Sequence, residues 1–215
     1  VPFYLMDVYF ATPQRGWIVT EQTHILVTRD GGATWTIQFS DEDYILKALS
    51  FCSPDVGWAV GEYGYIYHTA DGGVTWVKQA GYFGFSESTG DVEGDPFLFD
   101  VAAVDARQAW AAGIDSTLIR TVDGGASWHK IDVAISKTQL FYVAADPHGT
   151  IITGGNDLFV QSGDQGQTWT PSAFDPPIPY GWLYGIARRG SEGFAAAGWE
   201  GAIYLNASNA WHRVR

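Results

Sequence analysis

The sequence predicts an all-β protein, a β-propeller made of five four-stranded antiparallel blades. Three observations lead to this prediction. One eight-residue segment recurs along the 215 residues at intervals of 41 to 52 residues, which indicates one structural unit stacked on copies of itself. Short runs rich in Val, Ile, Tyr, Trp and Thr are separated by Gly, Asp and Pro, as strands and turns require. No run keeps helical spacing for more than about two turns.

The recurring segment has the pattern Thr/Ser-x-Asp-x-Gly-x-Thr/Ser-Trp. It starts at Thr28, Thr69, Thr121 and Ser162, and a degenerate fifth copy ends at Trp211. We expect a tight hairpin between the third and fourth strands, in which the aspartate accepts backbone hydrogen bonds, the second glycine has positive φ and the tryptophan is buried. A catalytic residue is needed once and not in every blade. The motif positions are therefore interpreted as structural: Asp30, Trp35, Asp71, Trp76, Asp123, Trp128, Asp164 and Trp169.

Blade 2 serves as the template for the strands, which are predicted at 46–51, 57–61, 65–68 and 75–79. The first strands of the other blades are predicted at 6–10, 99–104, 140–145 and 183–187. A second-strand tryptophan precedes the motif tryptophan by 18 residues in blades 1 to 3, so the last three strands form a constant unit. The chain is predicted to be a single domain over 1–215, with blades at approximately 4–39, 45–80, 97–132, 139–172 and 181–215.

Composition limits the classes of partner. The net charge of -12 and the pI near 4.6 argue against nucleic acid or an anionic membrane surface, because both require a basic surface. The single cysteine, Cys52, allows no internal disulfide. No stretch has the length and apolar character of a membrane-spanning helix. The start at Val1 instead of Met is compatible both with a removed leader peptide and with an arbitrary boundary.

The repeated octapeptide is the Asp-box, or BNR repeat. The longer segment 57–73, GWAVGEYGYIYHTADGG, resembles the repeat of the photosystem II stability/assembly factor family and its bacterial relatives. The resemblance implies a non-catalytic propeller in a lumenal, periplasmic or secreted location, without a cofactor, that binds protein partners such as a membrane complex during assembly. Such propellers have seven blades, whereas this chain has five repeats. The five either close into a ring or form part of a larger propeller.

Asp-boxes also occur in sialidases and in xyloglucan-degrading endoglucanases, so a carbohydrate-active or glycan-binding protein is the alternative. The Arg-Ile-Pro segment of sialidases is absent from the sequence. An endoglucanase needs two separated carboxylates, and acidic residues are plentiful here. No catalytic or metal-binding residues are assigned. Asp91, Glu93 and Asp95 only faintly resemble a calcium loop.

The links between repeats are the predicted location of any binding site. Asp-box turns should lie on one face, and the inter-blade and second-to-third-strand links on the other, which then carries more than half of the 24 acidic residues. This face could be a solvated surface, a protein-docking face or a sugar cleft. Exposed aromatics flanked by charge favour interfaces. The candidate partner-binding residues combine aromatics of this face with two arginines of the other: Tyr44, Tyr63, Phe83, Phe85, Tyr180, Trp199, Arg188 and Arg189.

Overall fold

The computed structural model describes residues 3–41, 44–81, 83–85, 92–94, 97–135, 138–155, 158–178, 181–207 and 210–215. Within them the chain forms five antiparallel sheets of four consecutive strands, which confirms the predicted propeller blades. In this described part of the chain, the single-turn 3-10 helices Glu62–Gly64 and Trp199–Gly201 connect second to third strands. Among the described residues, no helix is long and apolar enough to cross a bilayer.

Each blade runs outward from an innermost first strand to an outermost fourth strand. The strands of blades 1 and 2 are Leu5–Phe10, Gly16–Thr20, His24–Thr28 and Thr36–Ser40, then Leu46–Phe51, Gly57–Gly61, Ile66–Thr69 and Val77–Ala80. Those of blades 3 and 4 are Leu98–Ala103, Ala109–Gly113, Leu118–Thr121 and His129–Lys130, then Tyr142–Ala145, Ile151–Gly155, Leu158–Ser162 and Thr170–Pro171. Those of blade 5 are Leu183–Arg188, Phe194–Gly198, Ile203–Ala207 and Ala210–Arg213.

Two features were not predicted from the sequence. The longest link contains a small hairpin of Phe83–Phe85 with Val92–Gly94. The link into blade 5 contains Ala173–Asp175, which adds a parallel strand to the outer edge of that blade. The ring of Phe174 stacks on Trp211 at 4.9 Å. This tertiary contact gives the segment its extended form, and a local pattern cannot reveal it.

The Asp-box turns saturate their own aspartates with hydrogen bonds. At Asp71, one carboxylate oxygen accepts from the Thr69 hydroxyl and the Thr75 backbone N–H, both at 2.9 Å. The other accepts from the Thr75 hydroxyl at 2.6 Å. The same contacts recur at Asp30, Asp123 and Asp164. They support the structural interpretation of the motif.

The second glycine of the motif has two roles. Gly73 has a φ of 83°, as predicted, in the region that disfavours other residues. A Cβ atom there would also collide with the Gln38 side chain of the preceding blade. In blade 3, Gly125 has a φ of 86°, and a Cβ atom would collide with Gln79. Because glycine has no Cβ atom, it leaves room for a glutamine side chain from the preceding blade, which joins the two blades.

The five blades form an open arc. The first strand of each blade packs on the first strand of the next. This packing buries the leucines at or just before the start of the first strand in blades 2 to 5 to 2% exposure or less: Leu46, Leu98, Leu140 and Leu183. The equivalent residue of blade 1, Leu5, is 59% exposed. On the far side of blade 5, Ala197 is exposed, whereas its counterparts Val19 and Val60 are fully buried. Within the described residues, the arrangement is not a closed five-bladed ring.

Candidate functional site

The Asp-box turns and the first-to-second-strand turns lie on one side of the arc, which we call the Asp-box face. In blade 2, the backbone N–H of the motif's first glycine, Gly72, donates a hydrogen bond to the carbonyl of Asp55 in the turn between the first and second strands. Gly124 donates in the same way to the carbonyl of Arg107 in blade 3. The opposite side, the link face, carries the other connections. The five first strands surround a central cavity of about 940 Å³. A cavity of this size is within the range of ligand sites.

Phe99, Phe141 and Tyr184 line the central cavity, and further aromatic residues lie next to them on the link face. Phe97 stacks on Phe99 at 5.0 Å, and Phe99 lies 5.0 Å from Phe141 in the next blade. In blade 5, Tyr184 lies 6.4 Å from Trp199. The Trp199 backbone N–H donates a hydrogen bond to the carbonyl of Trp182, so the backbones of these two tryptophans lie side by side. We call Phe97, Phe99, Phe141, Trp182, Tyr184 and Trp199 the aromatic band.

The blade 5 part of the aromatic band is the most exposed. Trp182, Tyr184 and Trp199 have 53%, 58% and 44% of their surface exposed. Large aromatics exposed together are unusual on a monomeric protein and mark interaction sites. The sequence interpretation included Trp199 but missed Trp182 and Tyr184. Trp182 ends the proline-rich link 171–182, Tyr184 lies within the predicted first strand 183–187, and neither was among the candidate residues. The exposed side of blade 5 was not foreseeable from the repeat.

Two carboxylates join neighbouring blades inside the cavity. Asp7 accepts a hydrogen bond of 3.0 Å from the Leu49 backbone N–H, and Asp100 accepts one of 2.8 Å from Val143. Burial raises the pKa of Asp7, and it raises the pKa of Asp100 to about 7. The negative charge of Asp7 adds to the rise at Asp100. The cavity therefore holds a carboxyl group that titrates near neutral pH.

Tyrosine hydroxyls make further contacts between blades around the cavity. Tyr9 donates a hydrogen bond of 2.7 Å to the carbonyl of Phe51, and Tyr142 donates one of 2.7 Å to that of Leu183. Burial raises the pKa of both phenols. Both hydroxyls thus donate hydrogen bonds that link neighbouring blades.

The predicted partner-binding residues are distributed over several places. Tyr44 packs against Tyr63 at 5.5 Å and stacks on Tyr65 at 4.9 Å, so both candidates are half-buried parts of the link face. Trp199 belongs to the aromatic band. Tyr180 and the side chains of Phe83 and Phe85 lie outside the described residues.

The two candidate arginines lie on the Asp-box face and bond locally. Arg188 donates from Nε to the carbonyl of Gly190 at 2.8 Å, and Arg189 pairs with Glu192 at 2.7 Å. They are therefore separated from the aromatic candidates by the depth of the arc. Another arginine of this face, Arg15, donates to the carbonyl of Gly72 at 2.8 Å and so joins blades 1 and 2.

Among the described residues, no group of three His, Cys, Asp or Glu side chains could hold a metal ion. The side chains of the faint calcium pattern, Asp91, Glu93 and Asp95, lie outside the described residues.

A comparison with protein families matches residues 2–80 and 87–214 to the family described as photosynthesis system II assembly factor YCF48. The chain belongs to the YCF48 assembly factor family. This confirms the predicted resemblance and the predicted class of function, a protein-binding assembly factor. A search of curated proteins found no match.

Solved structures of the YCF48 family have the same fold. The chain is 22% identical to a YCF48 bound to D1 peptide, with a TM-score of 0.66, and covers 67% of that chain. It is 21% identical to YCF48 from Cyanidioschyzon merolae, with a TM-score of 0.63, and covers 73% of it. An ancestral GH74 enzyme is 15% identical, with a TM-score of 0.69, but the chain covers only 31% of it. In each case, 98% or more of the present chain is aligned.

Proposed function

We propose that this YCF48-family protein binds an extended segment of a partner protein across the link face, on the aromatic band. The observation that carries the proposal is the exposure of Trp182, Tyr184 and Trp199 on blade 5, where Tyr184 also lines the central cavity. Tryptophan and tyrosine are the side chains that most often dominate protein interfaces, because they bury a large area with little loss of conformational freedom. A solved YCF48 with a bound D1 peptide supports a peptide as the ligand.

The charge of the protein suggests what surrounds the aromatic contacts in the partner. Glu200 follows Trp199 directly and is exposed, and the whole chain has a net charge of -12. A basic partner segment would be attracted to this surface before contact. We further propose that the partner belongs to a membrane protein complex and that the protein acts outside the cytoplasm, as the family resemblance implies.

The test is the binding of a fluorescently labelled D1 peptide, measured by anisotropy. Tyr184→Ala and Trp199→Ala should each weaken binding about tenfold or more, as expected for central interface aromatics. Tyr4→Ala is the matched control, because Tyr4 is 75% exposed on blade 1, outside the aromatic band. Equal affinity of the two blade 5 variants and the wild-type protein would refute the proposed surface.

Glycan binding is the alternative function, and the same three rings favour it, because aromatic faces also stack on sugar rings. The fold likeness to a GH74 enzyme is compatible with it. Titration with xyloglucan oligosaccharides under the same conditions separates the two. Sugar binding lost in Trp199→Ala, without any peptide binding, would favour the alternative.

A further inference from the structure

The outer part of each interface between blades forms a groove, and in most places the chain fills it. Between blades 1 and 2, the Phe39 ring lies 5.1 Å from Tyr67 and 6.5 Å from Trp76. Between blades 4 and 5, the Phe174 ring lies 5.2 Å from Tyr204 and 4.9 Å from Trp211. Between blades 3 and 4, Val133 is buried in the core cluster against which Trp169 packs.

The groove between blades 2 and 3 is different. Ala80 occupies the position of Phe39, because Ala80 pairs with Ile66 in the register in which Phe39 pairs with Ile25. Within the part of the chain that the structure describes, a slot of about 310 Å³ next to Trp128 takes the place of a ring. Ile119 takes the place of Tyr67 in its wall. Among the described residues, the slot is therefore a groove of the standard kind that no aromatic side chain of the chain fills.

The slot continues the buried interface between blades 2 and 3. Ile66 and Leu98 line it and are fully buried members of the core cluster of that interface. An apolar group placed there would extend a packed core and would be removed from water on several sides. The Trp128 indole N–H has no partner among the described residues, but the same holds for Trp76 and Trp211 in filled grooves. The feature that distinguishes this groove is thus that no described aromatic side chain fills it.

Charges at the two ends of the slot differ. At the link-face end, Gly64 and Thr117 line it, and Glu62 and Asp115 lie two residues away from them in sequence. Neither acid is in an ion pair among the described residues. At the outer edge, Lys130 pairs with Ile119 in the sheet register. A bound segment would therefore place a basic residue towards the link face.

We infer that this slot receives one aromatic side chain from an extended segment of the partner protein, with a basic residue on its link-face side. The inference rests on the proposed function and adds to it a second anchoring point, away from the aromatic band. Phenylalanine is the expected anchor, because Phe39 and Phe174 fill two of the grooves of this same chain.

The test fills the slot from within. Ala80→Phe restores the residue of blade 1, and Val77→Phe is the matched control, because Val77 is 59% exposed on the same strand and does not line the slot. The first probe is N-acetyl-phenylalaninamide, followed by saturation-transfer NMR. We expect the wild-type protein and Val77→Phe to bind it, and Ala80→Phe to bind it at least tenfold more weakly. The melting temperature of Ala80→Phe should equal or exceed that of the wild-type protein.

Two outcomes would refute the inference that the slot is an open binding site. Unchanged probe binding by Ala80→Phe means that the slot is not the site. A lower melting temperature of Ala80→Phe means that another part of the chain already occupies the slot.

The labelled D1 peptide is the second probe, and Ala80→Phe should weaken its binding tenfold while Val77→Phe leaves it unchanged. Equal peptide binding by all three proteins would overturn the role of the slot in partner binding. If the small probe binds in the slot but no peptide binds the wild-type protein, the proposed function fails while the slot remains.

Discussion

The backbone N–H of Val143 in blade 4 donates a hydrogen bond of 2.8 Å to the carboxylate of Asp100 in blade 3. Asp7 and Leu49 make the same contact between blades 1 and 2. In both pairs the acceptor is the third residue of one first strand, and the donor is a backbone N–H of the next first strand. Each contact places a carboxylate in the central cavity, where burial favours its neutral form.

Stability should depend on the protonation of Asp100. Burial raises its pKa from 3.8 to about 7, so between these values the folded protein binds a proton that the unfolded chain has released. The free energy of unfolding should therefore fall as pH rises from 4 to 7, by roughly 3 kcal/mol, and then level off. Asp100→Asn should remove most of this slope. Urea unfolding between pH 4.5 and 8 measures it.

Asp115→Asn is the control for this prediction, because Asp115 is exposed and lies on a link. It should keep the wild-type slope. If Asp100→Asn also keeps the slope, the carboxyl group of Asp100 is not the group that titrates.

The fold was predictable from sequence because each blade repeats the same local chemistry. The Asp-box fixes a hairpin through contacts within eight residues, as Thr69, Asp71 and Thr75 illustrate. Alternating apolar residues fix the strands on either side of it. Such local contacts leave a pattern that one sequence reveals. The parallel strand Ala173–Asp175 was not predictable, because it depends on contacts with Trp211, more than thirty residues away.

The candidate site was only partly predictable for a related reason. Assigning residues to a face according to the connection they occupy predicted Trp199 on the link face, where the structure has it. The exposure of Trp182 and Tyr184 depends on how blade 5 packs, and the slot at Ala80 depends on comparing strand registers across blades. Neither property belongs to a single segment of sequence. The same limit applies to Tyr44 and Tyr63, whose mutual packing is a contact between an inter-blade link and a second-to-third-strand link.

Gln79 should contribute more to stability than its counterpart Gln38. Gln79 accepts from the Trp58 indole at 3.1 Å and donates to the carbonyl of Gly124 at 2.7 Å. Gln38 makes equivalent contacts with Trp17 and Gly72. Because Arg15 also donates to Gly72, Gln38→Ala leaves that carbonyl paired. We expect Gln79→Ala to cost about 2 kcal/mol or more, as for buried polar groups left unpaired, and Gln38→Ala to cost less. Urea unfolding of both variants at pH 7 compares them, and equal losses would contradict the prediction.

Acid should destabilise the protein through the Asp-boxes. Hydrogen bonds from Thr75 lower the pKa of Asp71 from 3.8 to about 2. The unfolded chain therefore binds the proton first, and the stabilisation present above pH 4 is lost as pH falls from 4 to 2. Asp71→Asn should be less stable at pH 7 but should lose less stability over this acid range. Tryptophan fluorescence during acid titration measures this, with Asp115→Asn as control. Identical acid losses in Asp71→Asn and the wild-type protein would exclude this role.

Removing the ring of Phe39 should create a second slot. The ring packs on Tyr67 and Trp76 in the groove between blades 1 and 2. Because it is only half-buried, Phe39→Ala should cost about 2–4 kcal/mol, less than the loss of a fully buried phenylalanine ring. Val77→Ala, on an exposed side chain, should cost less than about 0.5 kcal/mol. Both values come from urea unfolding at pH 7.

The Phe39→Ala protein should bind two molecules of N-acetyl-phenylalaninamide where the wild-type protein binds one, because the vacated groove has the same register as the slot at Ala80. Combining Phe39→Ala with Ala80→Phe should return the number to one and move the binding site from the blade 2–3 interface to the blade 1–2 interface. Titration by NMR gives the stoichiometry. A folded Phe39→Ala protein that still binds a single molecule would show that the two grooves are not equivalent. The size of the side chain on the fourth strand would then not decide which groove is open.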